Sequence, residues 1–92
     1  MADGPQGKIL FVDDEQTILD VTSEYFLMKG YEVVTATSGQ EALEILARGG
    51  IDCCFTDINM PGVDGIELTG RIREFDNTIP VIILTGYPSV DY

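Results

Sequence analysis

The sequence predicts an α/β fold in which parallel β-strands alternate with α-helices. Two observations lead to this prediction. Short apolar runs without polar alternation, typical of strands buried on both faces, are separated by segments whose apolar residues recur at helical spacing. Three of these runs also end abruptly in polar side chains. The predicted order is β-α-β-α-β-α-β, and this alternation implies parallel strands joined by right-handed helical crossovers.

The first half of the chain supplies two strands and one helix. Residues 1–7 are small, polar and rich in Gly and Pro, and they predict a flexible tail before a domain over residues 8–92. Residues 9–12 form the first apolar run, and residues 33–36 predict a second, shorter strand. Between them, from about residue 15 to 29, lies a helical pattern that Gly30 ends: Ile18, Val21, Tyr25 and Met28, with Thr22 and Phe26 beside them.

The second half repeats the pattern twice. Ser38 and Glu41 match a capping box, which opens a helix that continues to Leu46 and ends at Gly49-Gly50. Residues 51–56 predict the third strand and residues 80–84 the fourth, with a loop over residues 59–62. The helix between these strands is indicated by Ile66, Leu68, Thr69, Ile72 and Phe75, and residues 76–77 end it.

Length and composition narrow the class of protein. A chain of 92 residues is expected to form one domain, and a hydrophobic fraction of 45% argues against disorder. No apolar run approaches the roughly 20 residues that span a bilayer, and no basic segment followed by an apolar stretch opens the chain. We therefore expect a cytoplasmic location and no membrane partner.

The charge balance and the histidine and cysteine content restrict the partners and the kinds of active site to expect. The 16 acidic and five basic residues give a formal net charge of -11, so we expect no direct contact with nucleic acid. The absence of histidine excludes Ser-His-Asp and Cys-His catalysis and most zinc sites. Cys53 and Cys54 are adjacent in an apolar run and are interpreted as buried thiols of a reducing compartment.

Polar side chains at the strand ends form the candidate site. Asp13 and Asp14 follow the first strand, Asp57 follows the third, and Thr85 follows the fourth. In an open parallel sheet, ligands bind outside the carboxyl ends of the strands. Carboxylates gathered there repel one another unless a cation joins them, and oxygen-rich clusters suit Mg²⁺ or Mn²⁺. A carboxylate that the metal leaves free could act as a nucleophile toward a phosphoryl group.

Each of these residues also has a purely structural interpretation. An Asp at a strand end is often a turn former or a helix N-cap, and a Thr is common in strands. The joint occurrence at three strand ends favours the functional interpretation.

Three motifs make the sequence similar to the receiver domains of two-component response regulators, the CheY-like family. They are ILFVDDE at residues 9–15, DINMPGVDG at residues 57–65 and PVIILTG at residues 80–86, and the resemblance covers residues 8–87. It implies a flavodoxin-like, doubly wound parallel sheet with strand order 2-1-3-4-5.

The resemblance also implies roles for particular residues. Asp57 matches the phosphoacceptor, Asp14 a direct Mg²⁺ ligand and Asp13 a ligand acting largely through water. The backbone carbonyl of Asn59 matches the third protein ligand, and Thr85 matches the switch hydroxyl that moves toward the phosphoryl group.

Other positions match residues that shape or tune the family's site. Asn59 and Tyr87 occupy the positions that tune dephosphorylation. Pro61 and Gly65 match loop-shaping positions, and Gly65 could serve a special backbone angle. Phosphorylation is expected to bias a two-state surface by drawing in the Thr85 hydroxyl.

The sequence departs from the family pattern at its end. A full receiver has five strands and five helices, so the fifth strand, the last helices and the phosphate-contacting lysine are absent from these 92 residues. The fourth strand, apolar on both faces, would then be an edge, and part of the first helix would be uncovered. We expect a fragment, a partly ordered portion of a longer protein, or a homodimer or swapped oligomer, with weak or short-lived phosphorylation.

The expected function is therefore that of a signalling switch, not of an enzyme. Its phosphoryl donor would be a histidine kinase or a phosphotransfer protein. One alternative is a receiver-like interaction module without phosphorylation. Another is a Mg²⁺-dependent aspartyl-phosphate phosphatase, but those enzymes carry Asp-x-Asp after the first strand, whereas Asp13 and Asp14 are adjacent.

Overall fold

The predicted alternation of strands and helices is confirmed. The computed structural model describes residues 7–57, 62, 64–76 and 78–84. Within them lie four strands and three helices: β1 (Lys8–Val12), α1 (Gln16–Met28), β2 (Glu32–Ala36), α2 (Gly39–Ala47), β3 (Cys53–Asp57), α3 (Gly65–Phe75) and β4 (Val81–Leu84). The third strand begins two residues later than predicted and includes Asp57 as its last residue.

The strands form one parallel sheet in the order β2-β1-β3-β4 over the described residues. This matches the first four positions of the flavodoxin-like order that the resemblance implied. Leu10 of β1 lies between Val34 of β2 and Cys54 of β3. The central place of β1 explains its unbroken apolar run, because a strand with neighbours on both sides and helices on both faces is buried, as residues 9–12 are here.

Helices cover both faces of the sheet, so the doubly wound class is also confirmed. On one face, Leu10 and Val12 pack with α2 and with Leu68 and Ile72 of α3. On the other face, Phe11 packs with residues of α1 and with other aromatic rings. The rings of Phe11 and Phe55 stack with centroids 4.9 Å apart, and the Phe26 ring lies 5.2 Å from that of Phe11. The alternation of side chains along each strand divides the core into these two clusters.

Side-chain caps define where two helices begin. The Ser38 hydroxyl accepts a hydrogen bond from the Glu41 amide at 3.1 Å, which confirms the predicted cap. The Glu41 carboxylate reaches back to the amide of Thr37 at 2.9 Å, one residue before the position that a standard capping box uses. At α3, the Asp64 carboxylate accepts from the Glu67 amide at 2.8 Å.

The helix predicted between β1 and β2 is confirmed, but the four apolar residues whose spacing predicted it do not face the core. The helix buries Leu19, with Phe26 packed against the same cluster. The residues at helical spacing are instead exposed: Ile18 by 46%, Val21 by 65%, Tyr25 by 53% and Met28 by 77%. The helix is apolar on more of its circumference than the sheet can cover.

The free edge of β4 is also apolar. Among the described residues, no strand pairs with β4 on the side away from β3. Ile82 and Leu84 are exposed by 42% and 47%, whereas Val81 and Ile83 are partly buried.

The described helices include none long and apolar enough to cross a membrane.

Candidate metal centre at the carboxyl edge of the sheet

Three carboxylates meet at the carboxyl edge of the two central strands. β1 and β3 are parallel neighbours with Val12 beside Thr56, so the residues that follow in each chain segment, Asp13 and Asp57, also lie side by side. One carboxylate oxygen from each of Asp13, Asp14 and Asp57 can be chosen so that all three lie within 4.8 Å of one another. The structure thus brings together the three acidic residues that the sequence placed at strand ends.

Backbone contacts hold Asp13 in place. Its amide donates to the Ala36 carbonyl at 3.1 Å, which continues the β1–β2 ladder one residue beyond the strand. Its carboxylate accepts from the Glu15 amide at 2.9 Å, just where α1 begins. These contacts orient the Asp13 side chain and leave carboxylate lone pairs for a further ligand.

The cluster is electrostatically unfavourable without a cation. The pKa of Asp13 is raised, first because partial burial penalises its charged form and then because of the negative charges of Asp57, Asp14 and Glu15. The hydrogen bond from the Glu15 amide acts in the opposite direction. A divalent cation would remove the repulsion and favour the ionised carboxylates.

The cationic residues lie in other parts of the fold. Lys8 begins β1 and therefore lies at the amino end of the strands, away from the carboxylates. Lys29 and Arg48 follow the ends of α1 and α2. Arg71 pairs with Glu67 at 2.8 Å along α3, and Arg73 donates to the Ile79 carbonyl at 2.6 Å. The chemistry of the carboxylate cluster therefore fits Mg²⁺ or Mn²⁺, which prefer oxygen ligands.

Several predicted site residues fall outside the described residues. These are Asn59, Pro61, Thr85 and Tyr87. The third metal ligand, the switch hydroxyl and the tuning positions accordingly stay predictions.

One expectation for the loop before α3 was wrong. Gly65, expected to serve a special backbone angle, is the buried first residue of α3. The positive φ belongs to Gly62, at 82°. Gly65 instead follows the Asp64 N-cap directly.

Sequence reasoning also missed a residue beside Asp57. Thr56 is fully buried, and its hydroxyl donates to the Asp57 carbonyl at 3.1 Å. A polar residue inside an apolar run, directly before a candidate nucleophile, was the signal that could have drawn attention to it.

A shallow cavity of about 370 Å³ lies at the far end of α1 from the carboxylates. Tyr25, Phe26, Lys29 and Tyr31 line it, so it shares no residue with the acidic cluster.

Comparison with known sequences identifies the same family as the motifs at the strand ends. The family model of the response regulator receiver domain matches residues 9–92. The chain is 39% identical over 84 residues to Sporulation initiation phosphotransferase F of Bacillus subtilis, covering 91% of this chain and 68% of that protein. It is 38% identical over 84 residues to Response regulator protein FleR of Pseudomonas aeruginosa, covering 91% of this chain but 18% of that protein.

Solved structures include the response regulator protein TrrA of Thermotoga maritima. In its complex with Mg²⁺-BeF, TrrA superposes with a TM-score of 0.84 and 40% identity, over 89% of this chain and 71% of TrrA. In its complex with the histidine kinase ThkA, it superposes with a TM-score of 0.85 and 39% identity, over 91% of this chain and 72% of TrrA.

Proposed function

The chain belongs to the response regulator receiver domain family, and from this premise we propose that its Asp57 carboxylate accepts a phosphoryl group in the presence of Mg²⁺. The observation that carries the proposal is the convergence of three carboxylates within 4.8 Å at the carboxyl edge of β1 and β3. Asp57 is the member of this cluster that ends a central strand, so the sheet holds its backbone in place.

Asp13 and Asp14 would hold the cation, together with the backbone carbonyl of Asn59 that the family pattern implies. When bound, Mg²⁺ neutralises negative charge on the transferred group. A carboxylate oxygen of Asp57 forms a bond to phosphorus while the bond from phosphorus to a nitrogen of the donor's phosphohistidine breaks. The product is an acyl phosphate on Asp57, and the departing imidazole takes up a proton from solvent.

The donor we propose is a histidine kinase or a phosphotransfer protein. TrrA, which shares this fold, has been crystallised with a histidine kinase and with Mg²⁺-BeF. With such a partner the chain would act in the cytoplasm as a signalling switch, one that catalyses its own phosphotransfer and dephosphorylation but is not an enzyme. The charge of -11 speaks against nucleic acid contact by this segment.

Intact-mass measurement after treatment with acetyl phosphate and Mg²⁺ tests the proposal on the full-length natural protein. We expect one phosphoryl adduct on the wild type and on Asp20→Asn, a matched control because Asp20 lies exposed on α1. Asp57→Asn should show none. An equal adduct on Asp57→Asn would place the acceptor elsewhere, and no adduct on the wild type would favour an interaction module without phosphorylation.

We further propose that these 92 residues, prepared alone, self-associate. The support is the set of apolar side chains left exposed on the free edge of β4 and on α1. An unpaired edge strand with exposed apolar residues and no charged ones is prone to pair with another chain.

A further inference from the structure

We infer that Thr56 is a positioning residue for Asp57, an inference that rests on the proposed function of Asp57. Thr56 is completely buried, and it is the one buried polar residue among the described residues. Its hydroxyl donates a hydrogen bond to the backbone carbonyl of Asp57, with the two oxygens 3.1 Å apart.

Packing alone does not account for a hydroxyl at this position. Thr56 lies beside Val12 of β1 and Ile83 of β4, in a row of the sheet that is otherwise apolar. Valine has nearly the same shape as threonine and would fill this space without a polar group to satisfy. A buried hydroxyl is unfavourable unless it forms a hydrogen bond, and the contact with the Asp57 carbonyl satisfies this one.

The contact acts on the peptide group through which the chain leaves β3. The Asp57 carbonyl belongs to that group, and its orientation sets the ψ angle of Asp57. By holding this carbonyl, the Thr56 hydroxyl restricts how the backbone at Asp57 turns relative to the sheet.

Asp13 is held in a comparable way on the neighbouring strand. Its amide bonds to Ala36 and its carboxylate bonds to the Glu15 amide. With both strand ends anchored, the spacing between the backbones that carry the Asp13 and Asp57 carboxylates is set before a cation or phosphodonor arrives. Preorganisation of this kind matters because small displacements of a nucleophile slow its reaction strongly.

The test compares Thr56→Val, which removes the hydroxyl and keeps the shape, with Thr56→Ser, which keeps the hydroxyl. The initial rate of phosphorylation by acetyl phosphate is measured over a range of donor and Mg²⁺ concentrations on the full-length natural protein. We expect Thr56→Val to lower the rate at saturating donor roughly tenfold with little change in the half-saturating donor concentration. Thr56→Ser should recover most of the wild-type rate.

A control variant and an unfolding measurement separate an effect on the position of Asp57 from an effect on the stability of the protein. Thr35→Val is the matched control, because Thr35 is a partly buried strand residue on β2. It should leave the rate unchanged. Urea unfolding of each variant shows whether a slower rate follows a loss of folded protein. If Thr56→Val does not fold, Thr56→Ser and Thr56→Ala provide the same comparison with and without a hydroxyl.

A Thr56→Val protein that is phosphorylated at the wild-type rate would overturn the inference. So would a Thr56→Ser protein as slow as Thr56→Val, since the hydroxyl would then not be the group that matters. Failure of the proposed function looks different: the wild type itself would carry no adduct, or Asp57→Asn would carry an equal one.

Discussion

Asp13 lies beside two other carboxylates, and partial burial followed by their negative charge raises its pKa. A carboxyl group whose pKa is higher in the folded than in the unfolded state binds more protons when folded. In the metal-free protein, its contribution to the free energy of unfolding therefore falls as pH rises from about 3.8 through the folded pKa.

The loss of stability that ionised Asp13 causes at higher pH leads to the first prediction. Without divalent metal at pH 7, Asp13→Asn should be more stable than the wild type, by up to about 1 kcal/mol for a partly exposed group. The advantage should vanish near pH 3, where Asp13 is protonated in both states. Urea unfolding in EDTA at the two pH values measures it. An Asp13→Asn protein less stable than the wild type at pH 7 would contradict the electrostatic account.

The two cysteines differ in burial, and this leads to a second prediction. Cys54 is fully buried, and desolvation raises the pKa of its thiol to about 12. Because the thiolate is the reactive form, Cys54 in a Cys53→Ser protein should react with iodoacetamide at pH 8 only as fast as the protein opens. In a Cys54→Ala protein, the partly exposed Cys53 should react faster. Mass spectrometry over time distinguishes them, and equal rates would refute the difference in access.

At the scale of single residues, the sequence predicted which carboxylates form the site but not the hydrogen bond that positions Asp57. Asp13, Asp14 and Asp57 could be predicted because strand ends in a parallel sheet share an edge. The hydroxyl of Thr56 could not, because a threonine in an apolar run is equally consistent with plain strand packing. Whether its side chain bonds to the next carbonyl depends on a rotamer that no sequence pattern specifies.

Helix caps are the clearest sequence signal at the scale of elements, and α2 allows a third prediction. Ser38→Ala removes the hydroxyl that accepts from the Glu41 amide. We expect a loss of about 1 kcal/mol in the free energy of unfolding, the usual value for an N-cap. Ser38→Asp keeps an acceptor and should stay close to the wild type. Chemical denaturation measures both, and an unaffected Ser38→Ala protein would show that the cap contributes nothing.

For α1, the sequence predicted the helix but not its orientation. Apolar residues occur around most of its circumference, with Leu19 inward and Ile18 and Val21 exposed. Periodicity identifies a face only when the other face is polar. What decides the orientation is the contact with Phe11 and Phe55 on the sheet, which depends on strands far apart in the sequence.

At the scale of the whole molecule, alternation predicted parallel strands but not their order. Each helical crossover can place the next strand on either side of the previous one, and local patterns do not choose between them. The order β2-β1-β3-β4 followed from the family resemblance and is the order observed.

The exposed edge of the sheet leads to a fourth prediction. Ile82→Lys introduces a charge on the solvent-exposed side of β4, a common means by which natural edge strands avoid pairing. The 92 residues prepared alone should form dimers or larger species by light scattering, and Ile82→Lys should shift them toward monomer. Glu32→Lys on the opposite edge strand, β2, is the control for added positive charge. A stable, folded wild-type monomer would overturn the self-association proposal.

The position of the carboxylate cluster between β1 and β3 has a consequence for turnover of the protein. Its residues come together only when the two central strands are paired, so the unfolded chain offers no equivalent site. A cation that binds the folded state alone stabilises it by about 2.7 kcal/mol at a concentration one hundred times its dissociation constant. The supply of magnesium would then help set how long each copy survives proteolysis, before any phosphoryl group has been transferred.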